Sequence, residues 1–228
     1  MTGQELLIQA YIAYRGKGQS RVPAWGTEKA NTAISIANRK QQEWARESFH
    51  RWNSLFSIKT VGTIDTAQDT YALPAGFMGN SDFAKVTKTD GSKIEYPVVL
   101  PQQRDQFDQA LYILGSNIVF AQDIDTGIDG GTLKLAAYYM PEDIVEATDP
   151  VAVDDPNWLV YALAAELARN DPARDDQVGN LVAQANDLYQ KMIVNNAFSG
   201  YLQPNRIETN MPTIGSNLDE NWAGGGVL

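Results

Sequence analysis

Apolar positions in the first sixty residues recur at helical spacing. Leu6, Leu7, Ala10, Tyr11 and Tyr14 form one stripe, which Gly16 and Gly18 end. Thr2 and Glu5 have the spacing of a capping box, whose two side chains satisfy N–H groups that a helix start leaves unbonded. A loop with Pro23 and Gly26 comes next. A second helix is predicted from Thr27 as N-cap to about Phe56, with no Pro or Gly inside it. Its apolar side is Ala30, Ala33, Ile34, Ala37, Trp44, Ala45, Phe49, Trp52, Leu55 and Phe56. At 1.5 Å per residue such a helix is about 45 Å long.

Near residue 60 the period drops to two. Short strands are expected over 60–64 and 70–73, and Pro74 and Gly76 break the chain after the second. Strands at 83–89 and 93–99 flank the turn signal Asp90-Gly91, and 112–114 and 118–120 flank Gly115-Ser116-Asn117. From Thr132 to Tyr139 the alternation is clean, with Leu133, Leu135, Ala137 and Tyr139 on one face. A short polar helix is expected at 101–109. These elements predict a small antiparallel sheet, sandwich or open barrel.

Helical spacing returns after an Asp-rich loop at 148–155. Asp155-Pro156 pairs a capping acid with proline at the first helical position, and the helix runs through Trp158, Leu159, Ala162, Leu163 and Leu167. Asp171-Pro172 repeats that signature and opens a last helix to about Phe198. Val178, Leu181, Val182, Ala185, Leu188, Tyr189, Met192 and Ile193 mark its buried side. The two helices predict an antiparallel hairpin. From Ser199 onward the period lapses, yet apolar residues keep arriving every few positions. That pattern predicts an arm ordered by a partner in preference to a frayed tail.

The fold class expected is therefore α+β: a helical module with an inserted small antiparallel β-sheet or sandwich and an extended C-terminal arm. Residues 1–60 and 151–198 make the helical module, as N-terminal helices and C-terminal hairpin. Residues 61–150 make the β module, and 199–228 the arm.

Composition narrows the function. The chain has 228 residues, a net charge of −10, one histidine and no cysteine. Disulfides, zinc–thiolate sites, iron–sulfur clusters and cysteine nucleophiles are excluded together, and His50 has no second histidine for a two-His metal site. The longest apolar run, 158–165, is far too short to span a membrane. No signal peptide is visible at the N-terminus. A soluble, unexported, non-enzymatic protein is expected. The charge is unevenly spread: residues 1–60 carry nine Lys/Arg against four Asp/Glu, and residues 61–150 five against fourteen. Either the basic residues decorate the exposed face of a helix, or a positive end meets an acidic body head to tail.

Candidate chemistry does not survive inspection. The stretch Asp123-Ile124-Asp125-Thr126-Gly127-Ile128-Asp129-Gly130 looks like a calcium loop. Counted from Asp123, however, the sixth position is Ile128 and the twelfth Lys134; counted from Asp125, Gly130 fits but the twelfth is Ala136. An acidic inter-strand loop is the better reading. Asp154-Asp155 and Asp175-Asp176 sit near predicted helix starts, where the helix dipole favours acids. No nucleophile elbow or phosphate loop occurs. No catalytic residue, cofactor or metal is expected.

The central stretch carries a resemblance. Val61-Gly62-Thr63-Ile64 followed by Tyr71-Ala72-Leu73-Pro74-Ala75-Gly76-Phe77 is similar to a strand–turn signature of tailed-bacteriophage head-to-tail adaptor proteins. So are the Asp90-Gly91 hairpin, Tyr112-Ile113-Leu114-Gly115 with Ile118-Val119-Phe120, and Tyr138-Tyr139-Met140-Pro141. The Pro156-Asn157-Trp158 helix and its successor resemble the family's paired C-terminal helices. The likeness covers most of 27–198, and the tail after Phe198 has no matching signature.

The resemblance implies a virion protein at the neck, assembled in the bacterial host cytoplasm. It would form a twelvefold ring under the portal protein, contact neighbouring adaptor subunits and a downstream tail or stopper protein, and let DNA pass without gripping it. It would need no membrane and no cofactor. On that basis Tyr201, Leu202, Ile207, Met211, Ile214 and Trp222 are expected to anchor a portal-binding arm. Asp123, Asp125 and Asp129 are expected on a tail-facing or channel rim. A stopper or tail-tube subunit, or a monomeric carbohydrate-binding β-sandwich protein, stays open as an alternative.

Overall fold

In the computed structural model of the chain, the described residues are 1–16, 22–47, 51–107 and 109–201. Four helices bury one continuous cluster. Helix α1 (Gly3–Arg15) starts with the expected capping box: Glu5 N–H donates to Thr2 Oγ1 and Thr2 N–H to Glu5 Oε2. Its stripe Leu6, Leu7, Ala10, Tyr11 and Tyr14 is buried. Helix α2 (Glu28–Ala45) is capped by Thr27, and α3 (Pro156–Arg169) by Asp155 with Pro156 at its first position. After a 3-10 turn at Pro172–Arg174, α4 (Asp175–Tyr201) runs back along α3.

Two helix boundaries differ from expectation. The helix predicted to reach Phe56 ends at Ala45, and Phe56 begins a strand. Burial decides this. Continued as a helix, Trp52 would stand about 12 Å along the axis from Trp44. Instead the chain folds back, Trp52 becomes fully buried, its Nε1 donates to Trp44 O at 2.9 Å, and the two rings lie 5.0 Å apart. His50 and Phe49 lie outside the described residues. The last helix passes the expected end at Phe198 and reaches Tyr201, its last residue.

The strands are β1 (Phe56–Thr63), β2 (Thr70–Ala72), β3 (Phe77–Thr87), β4 (Lys93–Val99), β5 (Leu111–Leu114), β6 (Asn117–Phe120) and β7 (Thr132–Tyr139). They form one sheet in the order β1-β7-β3-β4-β5-β6-β2. Gly91 and Gly115 turn the two predicted hairpins with φ of 85° and 61°, a conformation open to glycine. The sheet is mixed, not wholly antiparallel, because β4 and β5 pair parallel through Val98↔Leu111 and Val99↔Tyr112. A 3-10 turn, Pro101–Gln106, lies in the connection that carries the chain back to start β5 in that direction. The sheet rolls until its edges near each other: a Cβ on Gly62 of β1 would sit 3.6 Å from the Tyr71 ring of β2. Inside lie Ile64, Tyr71, Val86, Tyr96, Leu111, Ile118, Phe120, Leu133, Leu135 and Tyr139. Burial pushes the Tyr139 hydroxyl up to about 12, and it donates to Leu135 O at 2.9 Å.

Between β7 and α3 the connecting segment 140–155 is held by polar side chains of α2. Asn38 Nδ2 donates to Ile144 O and its Oδ1 accepts from Ile144 N–H; Gln41 Nε2 donates to Glu142 O and its Oε1 accepts from Ala152 N–H. The N-terminus adds backbone bonds from Gly3 N–H to Asp149 O and from Val151 N–H to Met1 O. Within the segment, Asp149 Oδ2 accepts from Glu146 N–H at 2.7 Å and Val145 N–H at 2.8 Å. These bonds hold its carboxyl below the ordinary 3.8.

A native carboxyl held low contributes stability at neutral pH that is lost as pH falls through its native value. Wild type should therefore exceed Asp149→Asn in urea midpoint at pH 6. The gap should close as pH drops below about 3.8, the unfolded value. A gap that persists unchanged at pH 2.5 would show that the charge has no part in it.

Candidate functional site

Strand direction gathers acids at one end of the rolled sheet. Strands β1 and β3 both run antiparallel to β7, so the loops after β1 and β3 lie beside the loop before β7. Backbone bonds from Ile64 N–H to Gly131 O and from Gly130 N–H to Ile64 O join the first and last of these loops. Gly131 is required by close approach, since a Cβ there would come within 2.8 Å of Ile128 O and 3.0 Å of Thr87 O. The tip thus presents Asp65, Asp69, Asp90, Asp123, Asp125 and Asp129, all exposed.

Several of these carboxylates have structural work. Asp125 Oδ1 accepts from Gly127 N–H at 2.8 Å, and Asp129 Oδ1 from Thr66 N–H at 3.1 Å, tying the two loops together. Asp90 Oδ1 accepts from the Ser92 hydroxyl and N–H, which lowers its carboxyl below the ordinary range. Ile128, 1% exposed, anchors the loop in the sheet core. Burial raises the nearby Tyr96 hydroxyl, and the Asp125 charge adds to that rise. Among the described residues no three His, Asp or Glu side chains gather closely enough to hold a metal ion. No described helix is long and apolar enough to cross a membrane.

The helices occupy the opposite end. Met78, Tyr138 and Met140, at the start of β3 and the end of β7, pack against the helical cluster. Eight residues of β7 separate the two ends by about 26 Å. On the helical side a shallow groove of about 310 Å³ runs between α2, α3 and α4, with Trp44, Trp158, Ala162, Ala165 and Tyr189 in its walls. Its rim charges are engaged with one another: Lys40 Nζ lies 3.3 Å from Glu166 and 3.0 Å from Glu43, and Arg169 2.9 Å from Glu166. Paired in this way, they offer no free acid–base couple.

Of the residues singled out in the sequence, Asp123, Asp125 and Asp129 come together on one tip. Asp65, Asp69 and Asp90 join them through folding alone. Tyr201 closes α4, while Leu202, Ile207, Met211, Ile214 and Trp222 lie outside the described residues. Asp154-Asp155 and Asp175-Asp176 stand at the starts of α3 and α4, and Asp155 Oδ1 caps Asn157 N–H at 2.9 Å.

A family model described as SU10 adaptor protein matches residues 1–212. The match takes in the first helix and reaches past Phe198, beyond the limits of the likeness read from the motifs. No curated protein matches the chain.

Proposed function

The chain belongs to the SU10 adaptor protein family, structural head-to-tail adaptors of phages that act at the virion neck between portal and tail components, and on that premise we propose how this subunit sits there. The subunit joins a ring, twelvefold as in the resembling adaptors, beneath the portal protein. The helical module, with the β module inserted into it, faces the portal together with the C-terminal arm. The acidic tip bearing Asp123, Asp125 and Asp129 lies about 26 Å away, at the tail side or on the channel rim.

The observation that carries this reading is the separation of the two ends. A subunit that joins two different partners needs unlike ends, and here the ends of one chain differ in structure, helices at one and exposed carboxylates at the other. Carboxylates on a channel rim repel DNA phosphates, so DNA passes instead of sticking.

Mixing the protein with portal rings and imaging the product tests the proposal. A ring of this protein under the portal is the expected result, and no association with portal would overturn it. Because α4 runs through Tyr201, the arm is tested by deleting 202–228. The truncated chain should keep its helical circular dichroism and lose portal binding at least tenfold. Equal binding by both chains would take Leu202, Ile207, Met211, Ile214 and Trp222 out of the interface.

A further inference from the structure

The rolled sheet carries two apolar patches on its outside, on different sides. The first lies across β1, β7, β3 and β4, where Ile58, Ala136, Phe83 and Pro97 stand in cross-strand register. Leu133, Leu135 and Ala137 of β7 face the sheet core, so this row, one residue out of step with them, faces outward. Ile58 is 45% exposed, and Phe56, two positions before it, 38%. The second patch lies on β5, where Leu114 is 59% exposed, and just past β4, where Leu100 is 63% exposed. Val99 and Tyr112, paired in register and half-buried, join the two. Because the sheet rolls until β1 nears β2, β5 and β6 come round to the side away from β7 and β3.

Charge separates the two sides as well. Strands β1, β3, β4 and β7 hold four lysines, Lys59, Lys85, Lys93 and Lys134, against the two acids Asp82 and Glu95. Lys85 pairs with Glu95 at 3.0 Å. Lys134, level with Lys85 on the outward face, has no carboxylate within 4 Å among the described residues. Strands β2, β5 and β6 hold no charged residue, residues 107–122 include no Lys or Arg, and the acid Asp69 borders β2.

We propose that the first patch of one subunit seats on the second patch of the next copy, so that the β modules meet head to tail around the ring. The contact rests on the ring reading above and names the surfaces that close it. A closed ring uses two unlike faces on each subunit, since every copy gives one and receives the other. Both faces here are apolar at the centre, with a surplus of lysine on one and Asp69 beside the other, so they attract in this sense. First patch against first patch would instead set Lys134 against Lys134. Four strands about 4.8 Å apart and eight residues long offer about 400 Å² in projection, against about 800 Å² per partner in a stable pair. The contact is therefore weak between two free copies and gains in a closed ring, where every subunit makes it twice.

The chain has no native cysteine, so one can be placed on each patch without competition. Ile58→Cys and Leu114→Cys, both at exposed positions, are made as separate full-length proteins and treated with a short bismaleimide at high protein concentration. Their mixture should give a covalent heterodimer at least tenfold above the homodimer of either variant alone. The double variant Ile58→Cys/Leu114→Cys should give a ladder of covalent multimers. Homodimers of Ile58→Cys as abundant as the mixed product would overturn the proposal in favour of a two-fold pair. No mixed product, in solution and on portal rings alike, would also overturn it. If rings still form under the portal in that case, the ring reading stands and only this contact falls. A ladder from a protein that does not bind portal keeps the contact and removes the portal reading.

Discussion

Trp52→Ala should cost about 3–5 kcal/mol of folding stability, the range for removing a large buried aromatic. Domains of this kind hold only about 5–15 kcal/mol in all. The residue is fully buried at the joint of three elements. Its ring lies 5.0 Å from Trp44 of α2 and 5.9 Å edge-on to Tyr189 of α4, and four residues later β1 starts. Truncation therefore loosens the helices from one another and from the first strand together.

Trp52→Phe separates packing from hydrogen bonding. It keeps most of the buried ring but removes the Nε1 donor to Trp44 O, which also accepts from Glu47 N–H at 3.2 Å. The carbonyl is not stranded, so Phe should cost about 1–2 kcal/mol, little more than one hydrogen bond and some lost contact. Urea denaturation followed by circular dichroism at constant pH reads both variants. An alanine variant within 1 kcal/mol of wild type would mean that the 46–55 segment does not join helices to sheet.

Local signals were legible where local chemistry decides. Thr2 with Glu5, Thr27, and Asp155 before Pro156 mark helix starts because a capping oxygen needs only its own next three residues. Gly91 and Gly115 mark turns because their positive φ suits little else. The end of α2 was not legible. Residues 46–56 hold no proline or glycine, and what stops the helix is the burial of Trp52 against a residue eight positions earlier. Strand direction was equally hidden, since period two is the same in parallel and antiparallel strands, and β4–β5 became parallel through the course of its connection.

The acidic tip shows the same division. Asp123, Asp125 and Asp129 were visible as one run. Asp65, Asp69 and Asp90 belong with them only because β1 and β3 point the same way. A cue did exist in the sequence: acids recur in loops where strand runs end, and counting strand reversals would have placed three of those loops together. The polar row Asn38, Gln41 and Gln42 on α2 is not legible in the sequence for a different reason. Helical spacing draws attention to apolar residues, and a buried amide in such a row reads as solvent-facing until its partners are known.

Gln41 is the one fully buried polar side chain among the described residues, and Gln41→Leu tests what it does there. Leucine matches its bulk closely enough to fill the site but can bond neither Glu142 O nor Ala152 N–H, both now 3.0 Å from the amide. An amide lost from one buried backbone group costs about 1–3 kcal/mol when nothing replaces it. With two groups half-shielded from water, about 2–4 kcal/mol is expected. Gln41→Glu should be at least as harmful at neutral pH. It retains an acceptor for Ala152 N–H, yet it brings a charge into the core against the Glu142 carbonyl. Lowering the pH should recover part of that loss, because a protonated Glu can donate to Glu142 O, whereas Gln41→Leu should gain nothing. The two variants thus separate the bonds from the volume. The same bonds decide how the sheet is held: Gln41 spans both ends of the connection from β7 to α3, so cutting it should also speed proteolysis within 140–153. If Gln41→Leu is as stable as wild type and no more readily cleaved, then the backbone groups find other partners. The hold of helices on sheet would then rest on Asn38 and the N-terminal backbone bonds.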